Sequence, residues 1–219
     1  MISRRIIILP FIIIVFNASL SGCFQQEKSS EKMYSVLEKV AVNEKDFEQA
    51  QDPLVQKEKK EKTLYDKIIE LNTNQYDDKV KLSNEALIMV NDRKKYMETE
   101  TKSLQQSEKE FKKVVTLKNK MDDKKLNDEA NQLYDLMMNR YKAHQVLSKE
   151  YLAGVSEDQK LYQMFKNQNV TVENLEGKIK ELNSIYKNIY AANNQFNRLT
   201  QQYNEKKLQF YKNAGIIKK

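Results

Sequence analysis

Tryptophan is absent from the 219 residues, and cysteine and histidine occur once each, as Cys23 and His144. Only two prolines and four glycines are present. Each shortage excludes something. A single cysteine cannot form an intramolecular disulfide. One histidine and one cysteine cannot supply the converging ligands of a zinc-type centre, so no metal site is expected. So few glycines and prolines leave little from which to build β-turns or phosphate-cradling loops. No serine sits in a glycine-flanked elbow, and the lone Cys23 is expected to be modified, so nucleophilic catalysis has no candidate. Carboxylates are plentiful, but they sit among lysines. The pairs Asp77-Asp78 and Asp122-Asp123 fall where turns are expected, where capping explains them. We therefore expect no catalytic residue, no cofactor and no enzymatic activity. The net charge is +7, or +5 without Arg4 and Arg5. Basic and acidic residues are interspersed, the pattern of a solvated helix surface rather than of a nucleic-acid binder.

What the chain does have begins at its start. Arg4 and Arg5 precede an apolar run from Ile6 to Phe16, broken only by Pro10, and a short stretch of small and polar residues follows to Gly22. This is the layout of a secretory leader. The apolar run falls well short of the roughly 20 residues that a spanning helix needs. It ends in Leu20-Ser21-Gly22-Cys23, an aliphatic residue, two small residues and a thiol. That is the pattern of a bacterial lipoprotein lipobox, in which the sulfur takes a diacylglycerol and the small residues give a peptidase access to the Gly22–Cys23 bond. Cleavage there makes Cys23 the S-diacylglyceryl first residue, with its new α-amine open to N-palmitoylation. Each buried methylene adds about 0.8 kcal/mol of membrane binding, so two acyl chains hold firmly where one holds marginally. The expected organisation is a removed leader (1–22), a lipidated tether (23–30), one helical domain (31–215) and a short basic tail (216–219).

Beyond the leader, apolar residues recur at steps of three and four. The first series is Met33, Leu37, Val40, Phe47, Leu54, Tyr65 and Ile68, with Ser30 as its expected cap and a kink or break at Pro53. Asn72 to Gln75 reads as a turn. The second series is Val80, Leu87, Val90, Met97, Leu104, Phe111 and Val115, with polar Lys94, Thr101 and Glu108 at intervening seam positions. A turn at Met121-Asp122-Asp123 follows, where either aspartate can cap the next helix. The third series runs from Leu126 through Leu133, Met137, Tyr141, His144, Tyr151 and Val155 to Phe165, and Gly154 weakens it by about 1 kcal/mol relative to alanine. Asn167 to Val170 makes a turn, Thr171 caps a helix with Glu173 in its first turn, and the fourth series runs from Leu175 to Phe210 before Ala214-Gly215.

Four segments of similar length joined by short turns predict an all-α protein. We expect an elongated four-helix up-and-down bundle with coiled-coil-like packing. The alternative is a three-helix bundle with the first segment detached at Pro53. With an even number of helices the C-terminus returns to the end that carries Cys23. His144 lies on a seam, one turn from Arg140 and Leu147, and is expected to be buried rather than a ligand. Twelve tyrosines, Tyr134, Tyr141, Tyr151, Tyr162, Tyr186, Tyr190 and Tyr203 among them, could stack on sugar rings. Most fall on or beside the seams, where the ring packs and the hydroxyl reaches water.

Several stretches resemble the YkyA-like cell-wall-binding lipoproteins of Bacillus and Staphylococcus relatives. They are Gln51-Asp52-Pro53-Leu54, Glu58 to Glu61, Leu64 to Leu71, Leu82 to Leu87, Leu133 to Tyr141 and Phe210 to Gly215. The resemblance runs from the lipobox to near the C-terminus. It implies a helical bundle held at the outer leaflet of a Gram-positive membrane and a wall-binding role. Cys23 is the one defined functional position that it carries over. The expected partners are the membrane, through the lipid on Cys23, peptidoglycan or an anionic wall polymer, and another envelope protein if the polar seam positions Lys94, Thr101 and Glu108 dock a partner helix. A scaffold of that kind is the alternative function.

Overall fold

A computed structural model describes residues 28–72 and 74–217. The leader, the lipobox and Cys23 lie outside these residues. Six helices follow in order: α1 (Ser29–Asn43), α2 (Lys45–Glu70), α3 (Tyr76–Phe111), α4 (Val114–Lys118), α5 (Lys124–Phe165) and α6 (Val172–Asn213). They make four antiparallel legs, α1 with α2, α3 with α4, then α5 and α6. The last two legs are 42 residues each, about 63 Å at 1.5 Å per residue. This is the elongated all-α bundle that the periodicity predicts, and it has no strand among the described residues.

The legs turn where the sequence signals them. Asp123 caps α5 by accepting from the Leu126 amide at 3.0 Å, and Thr171 caps α6 by accepting from the Asn174 amide at 3.2 Å. At the end of α6, Gly215 takes a φ of 73°, which only glycine adopts cheaply. The Ile216 amide then reaches back to the Tyr211 carbonyl and the Gly215 amide to Lys212, so the last carbonyls of the helix are covered. Ser30 is not the first cap. α1 starts after Lys28, whose amide bonds the Glu31 carboxylate at 3.2 Å.

Pro53 does not break the first leg. It lies inside α2, and Gln49, whose carbonyl loses its helical partner there, is on the exposed side where water serves instead. The interruption falls at Glu44, for a reason that lies in another helix. The Ser103 hydroxyl of α3 donates to the Asn43 carbonyl at 2.7 Å and accepts from the Phe47 amide at 3.1 Å. It has entered the bond that those two groups would make in an unbroken helix, which separates α1 from α2. The first leg is therefore part of the bundle and is not detached.

α5 and α6 are the most closely packed pair, followed by α2 and α3. Gly154 permits the first approach, since a methyl group there would meet the Ile189 Cδ1 atom at 2.9 Å. The first leg and α6 reach one another through large side chains, with Phe47 against Phe196 and Tyr34 against Tyr211. The apolar series of the sequence fill this interior, and Met33, Leu37, Phe111, Leu133, Met137, Tyr162 and Phe210 are fully buried.

Two ends result. At one, the Ser29 hydroxyl bonds the Lys120 carbonyl at 3.2 Å and Ile216 and Ile217 pack against the core, so the start and the end of the bundle lie together. At the other, the α2–α3 and α5–α6 turns are joined by the Tyr76 hydroxyl, which donates to the Lys166 carbonyl at 2.6 Å.

Candidate functional site

The seam of α3 is polar, but one residue away from the expected register. The inward series is Ser83, Ala86, Val90, Arg93, Met97, Glu100, Leu104, Ser107 and Phe111. Arg93, Glu100 and Ser107, not Lys94, Thr101 and Glu108, occupy its heptad-spaced polar positions. Polar residues recur at the same spacing on α2 and at its start: Glu44 accepts from Ser107, Gln51 hydrogen-bonds Glu100, and Glu58 is linked to Arg93 through the Tyr151 hydroxyl. The interior of the bundle therefore contains three polar layers.

The first layer is built on Arg93, whose side chain is 1% exposed. Its Nη1 pairs with the Glu61 carboxylate and, at 2.9 Å, with Asp158, both of them 0% exposed. Its Nε donates to the Tyr151 hydroxyl at 2.9 Å and its Nη2 to the Tyr186 hydroxyl at 3.3 Å. Each tyrosine passes its own proton on, Tyr151 to Glu58 at 2.6 Å and Tyr186 to Asp158, while Tyr162 donates to Glu61 at 3.0 Å. Burial alone would pull the guanidinium down, but the charges of Glu61 and Asp158 and the neighbouring tyrosines hold it well above its ordinary range. Four helices meet at this one cation.

The second layer is built on Arg140. Its Nη1 donates to Glu44 at 2.8 Å and its Nε to the Thr200 hydroxyl at 2.9 Å. The guanidinium carbon lies 5.0 Å from the Phe196 ring centroid and 5.9 Å from that of Phe47. Glu44 also accepts from Ser107 at 2.7 Å, and the Tyr141 hydroxyl lies 2.7 Å from Ser107.

Between the two lies the third layer. His144 Nε2 is 3.7 Å from Glu100 Oε2, and both side chains are 2% exposed. His144 is packed between the rings of Phe47 and Phe196, at centroid distances of 5.8 and 5.2 Å. Burial, with the Arg140 charge adding to it, lowers its pKa to about 3. Burial likewise pushes Glu100 well above the usual carboxylate range, against a hydrogen bond from Gln51 that opposes it and the Glu58 charge that adds to it. Both groups are held neutral. His144 is a core residue, as its seam position implied, and no group of His, Cys, Asp and Glu among the described residues could hold a metal ion.

The remaining candidates divide in the same way. Tyr141, Tyr151, Tyr162, Tyr186 and Tyr203 are buried, and Tyr134 stacks on Phe111 at 5.6 Å. Only Tyr190 of those singled out is freely presented, at 44% exposure. Thr101 bonds Ser148 at 2.7 Å within the bundle, Glu108 pairs with Lys112 at 2.8 Å, and Lys94 stands on the surface. The inward polar positions of α3 are filled by contacts with the protein's own helices. Sequence reasoning missed Arg93, Arg140, Glu61 and Asp158, because charged residues in a lysine-rich helix read as surface. The available signal was a seven-residue phase with buried neighbours: Glu61 with Phe47 and Leu54, Arg93 with Ala86, Arg140 with Leu133 and Leu147, and Asp158 with Tyr151 and Phe165.

On the surface, one shallow hollow of about 470 Å³ lies between the start of α5 and the end of α6, where Lys124, Lys125 and Lys206 converge beside Asp128 and Glu129. A second, of about 450 Å³, lies beside the α2–α3 turn among Lys67, Glu70, Asp78 and Lys81. No helix among the described residues is long and apolar enough to cross a membrane.

A crystal structure of a conserved protein of unknown function from Staphylococcus aureus has the same fold, with a TM-score of 0.72 at 19% identity, covering 85% of this chain and 97% of that one. The chain is 32% identical over 196 residues to a protein of Bacillus subtilis (strain 168) named as the uncharacterized lipoprotein YkyA, with 90% of this chain and 87% of that protein covered. The family described as "YkyA: Putative cell-wall binding lipoprotein" matches residues 28–213, the whole length of the four-legged bundle, and this chain belongs to that family.

Proposed function

We propose that the protein is a lipid-anchored, non-enzymatic component of a Gram-positive cell surface that contacts wall polymer. The observation that carries this reading is Leu20-Ser21-Gly22-Cys23 at the end of a short apolar leader, in a chain of a lipoprotein family. Residues 1–22 are removed, Cys23 takes the diacylglycerol, the 23–30 stretch tethers it, and 31–215 is the single domain that stands on the outer face. The family description names wall binding and no catalytic activity. The described interior supports a spacer or binding role, since its polar groups are spent on holding helices together rather than on lining a cleft.

Two measurements test this. Cys23→Ala should move the protein from the membrane fraction to the soluble one in high-salt buffer, where exposed-charge contacts are screened, and unchanged fractionation there would end the anchor reading. The 24–219 fragment should be retained on purified sacculi, and no retention would make wall binding untenable.

A further inference from the structure

The two ends of the bundle differ in charge, although the sequence intersperses its charges. At the end where the chain enters the bundle, Lys28, Lys32, Lys120, Lys124, Lys125 and Lys212 are exposed, and none has a carboxylate partner among the described residues. The acids nearby are fewer. They are Glu31, Asp122, Asp123, Asp128 and the buried Glu129, five against the six exposed lysines and Lys206 beside them. At the opposite end Glu70, Asp77, Asp78, Glu173 and Glu176 are exposed, with Lys67, Lys81 and half-buried Lys79 and Lys166 as the cations beside them. Folding sorts the charges, because α1, α5 and the α4–α5 turn bring their lysines to one tip.

We infer that the basic tip is a docking surface for anionic lipid headgroups, a second contact with the membrane beside the lipid on Cys23. Three features favour a lipid surface. The tip is the end from which residues 23–27 depart toward the proposed anchor, so a membrane holding that anchor is within a few residues' reach. Its lysines project from several chain segments around the start of α1 and the α4–α5 turn, which suits a planar array of headgroups better than a single polymer strand. The open hollow at this tip brings Lys124, Lys125 and Lys206 together against Asp128 and Glu129, three cations to two acids. The opposite tip has no such excess of lysines and competes weakly for the same surface. Each lysine near an anionic bilayer contributes about fivefold to partitioning, screened by salt.

The inference deepens the surface-lipoprotein reading, and its biological setting rests on that reading, but its test does not use Cys23. Every contact described above lies within residues 28–217, so the 24–219 fragment keeps the whole bundle. This fragment should sediment with phosphatidylglycerol-containing vesicles and not with pure phosphatidylcholine vesicles, and raising the salt should release it. Changing Lys120, Lys124, Lys125 and Lys212 together to glutamine should weaken sedimentation at least tenfold. The same number of changes at Lys67, Lys81, Lys180 and Lys187, away from the tip, should leave most of it. These lysines are exposed, and unchanged thermal melting of both variants confirms that the fold is kept. Equal loss in the two variants would reduce the effect to net charge and overturn the inference. So would failure to bind phosphatidylglycerol vesicles, or retention on teichoic-acid-bearing walls without vesicle binding. Failure of the Cys23→Ala fractionation alone would remove the anchor and leave a vesicle result standing.

Discussion

Arg93 and Arg140 are both buried cations in the same bundle, yet they are neutralised in different ways. Arg93 is enclosed at 1% exposure between Glu61 and Asp158, with tyrosine hydroxyls on its remaining donors. Arg140 shares one carboxylate, Glu44, which keeps 17% of its side chain in solvent, and spends its flat faces on Phe47 and Phe196. The first layer is closed to water and the second has one wet partner. An ion cluster sealed from water is costly to break, because whatever charge remains cannot be rehydrated. Its worth lies in register. Four long helices with heptad seams could slide by one repeat with little apolar penalty, but sliding α3 by seven residues would take Arg93 away from Glu61 and Asp158.

The largest expected effect comes from emptying the closed layer. Arg93→Leu leaves two acids in a dry interior and should cost about 3–5 kcal/mol, read as a lowered urea midpoint. Replacing Arg93, Glu61 and Asp158 together by leucines should recover most of that loss. If the single variant were as stable as the parent, the cluster would have no structural role.

Arg140→Leu breaks the wetter layer and should cost less, about 2 kcal/mol, because Glu44 can turn to water and keeps its bond from Ser107. A loss equal to that of Arg93→Leu would erase the distinction between the layers.

The layer between them responds to pH. His144 has a folded pKa lowered from 6.5 to about 3, so the folded state refuses a proton that the unfolded chain takes up as pH falls through 6.5. Its contribution is therefore complete above pH 6.5 and is lost as pH drops toward 3, on the order of 2 kcal/mol at pH 5. Glu100 has the opposite sign. Its raised pKa keeps a proton that the unfolded chain has released, so its contribution falls as pH rises above the usual carboxylate value. The groups facing this pair are Gln51 and Glu58 from α2, Arg140 from α5 and the Phe47 and Phe196 rings. His144→Gln should gain stability relative to the parent between pH 7.5 and 5, as measured by thermal melting. Glu100→Gln should gain it as pH rises above the usual carboxylate value. Parallel pH curves for parent and variants would show that neither group is held neutral.

The smallest effect is expected at Ser103. Alanine there removes the hydroxyl that separates Asn43 from Phe47, and the two backbone groups can then bond one another. Ser103→Ala should cost about 1 kcal/mol and slow amide exchange at Phe47, as α1 and α2 join into one helix. Unchanged exchange would place the cause of the break elsewhere.

Much of this was legible in the chain. Seam residues such as Leu37, Met97, Leu133 and Phe196 are buried where their period put them, and Asp123, Thr171 and Gly215 end or begin helices as their chemistry requires. Pro53 misled because a proline's effect on a helix depends on whether the freed carbonyl meets water. The polar seam of α3 was read one residue out of phase because a lysine, a threonine and a glutamate at 94, 101 and 108 and an arginine, a glutamate and a serine at 93, 100 and 107 are equally polar on paper.

The sequence by itself determined the helical class, the four legs and their turns, because these depend on local propensity and on spacing along one chain. Tertiary structure alone decided which charges went inside, where the first leg opened and how the surface charges were sorted to two tips. Those outcomes depend on what the neighbouring helix presents at the same height: a carboxylate opposite Arg93, a hydroxyl opposite Phe47, and a second lysine-bearing segment beside Lys28.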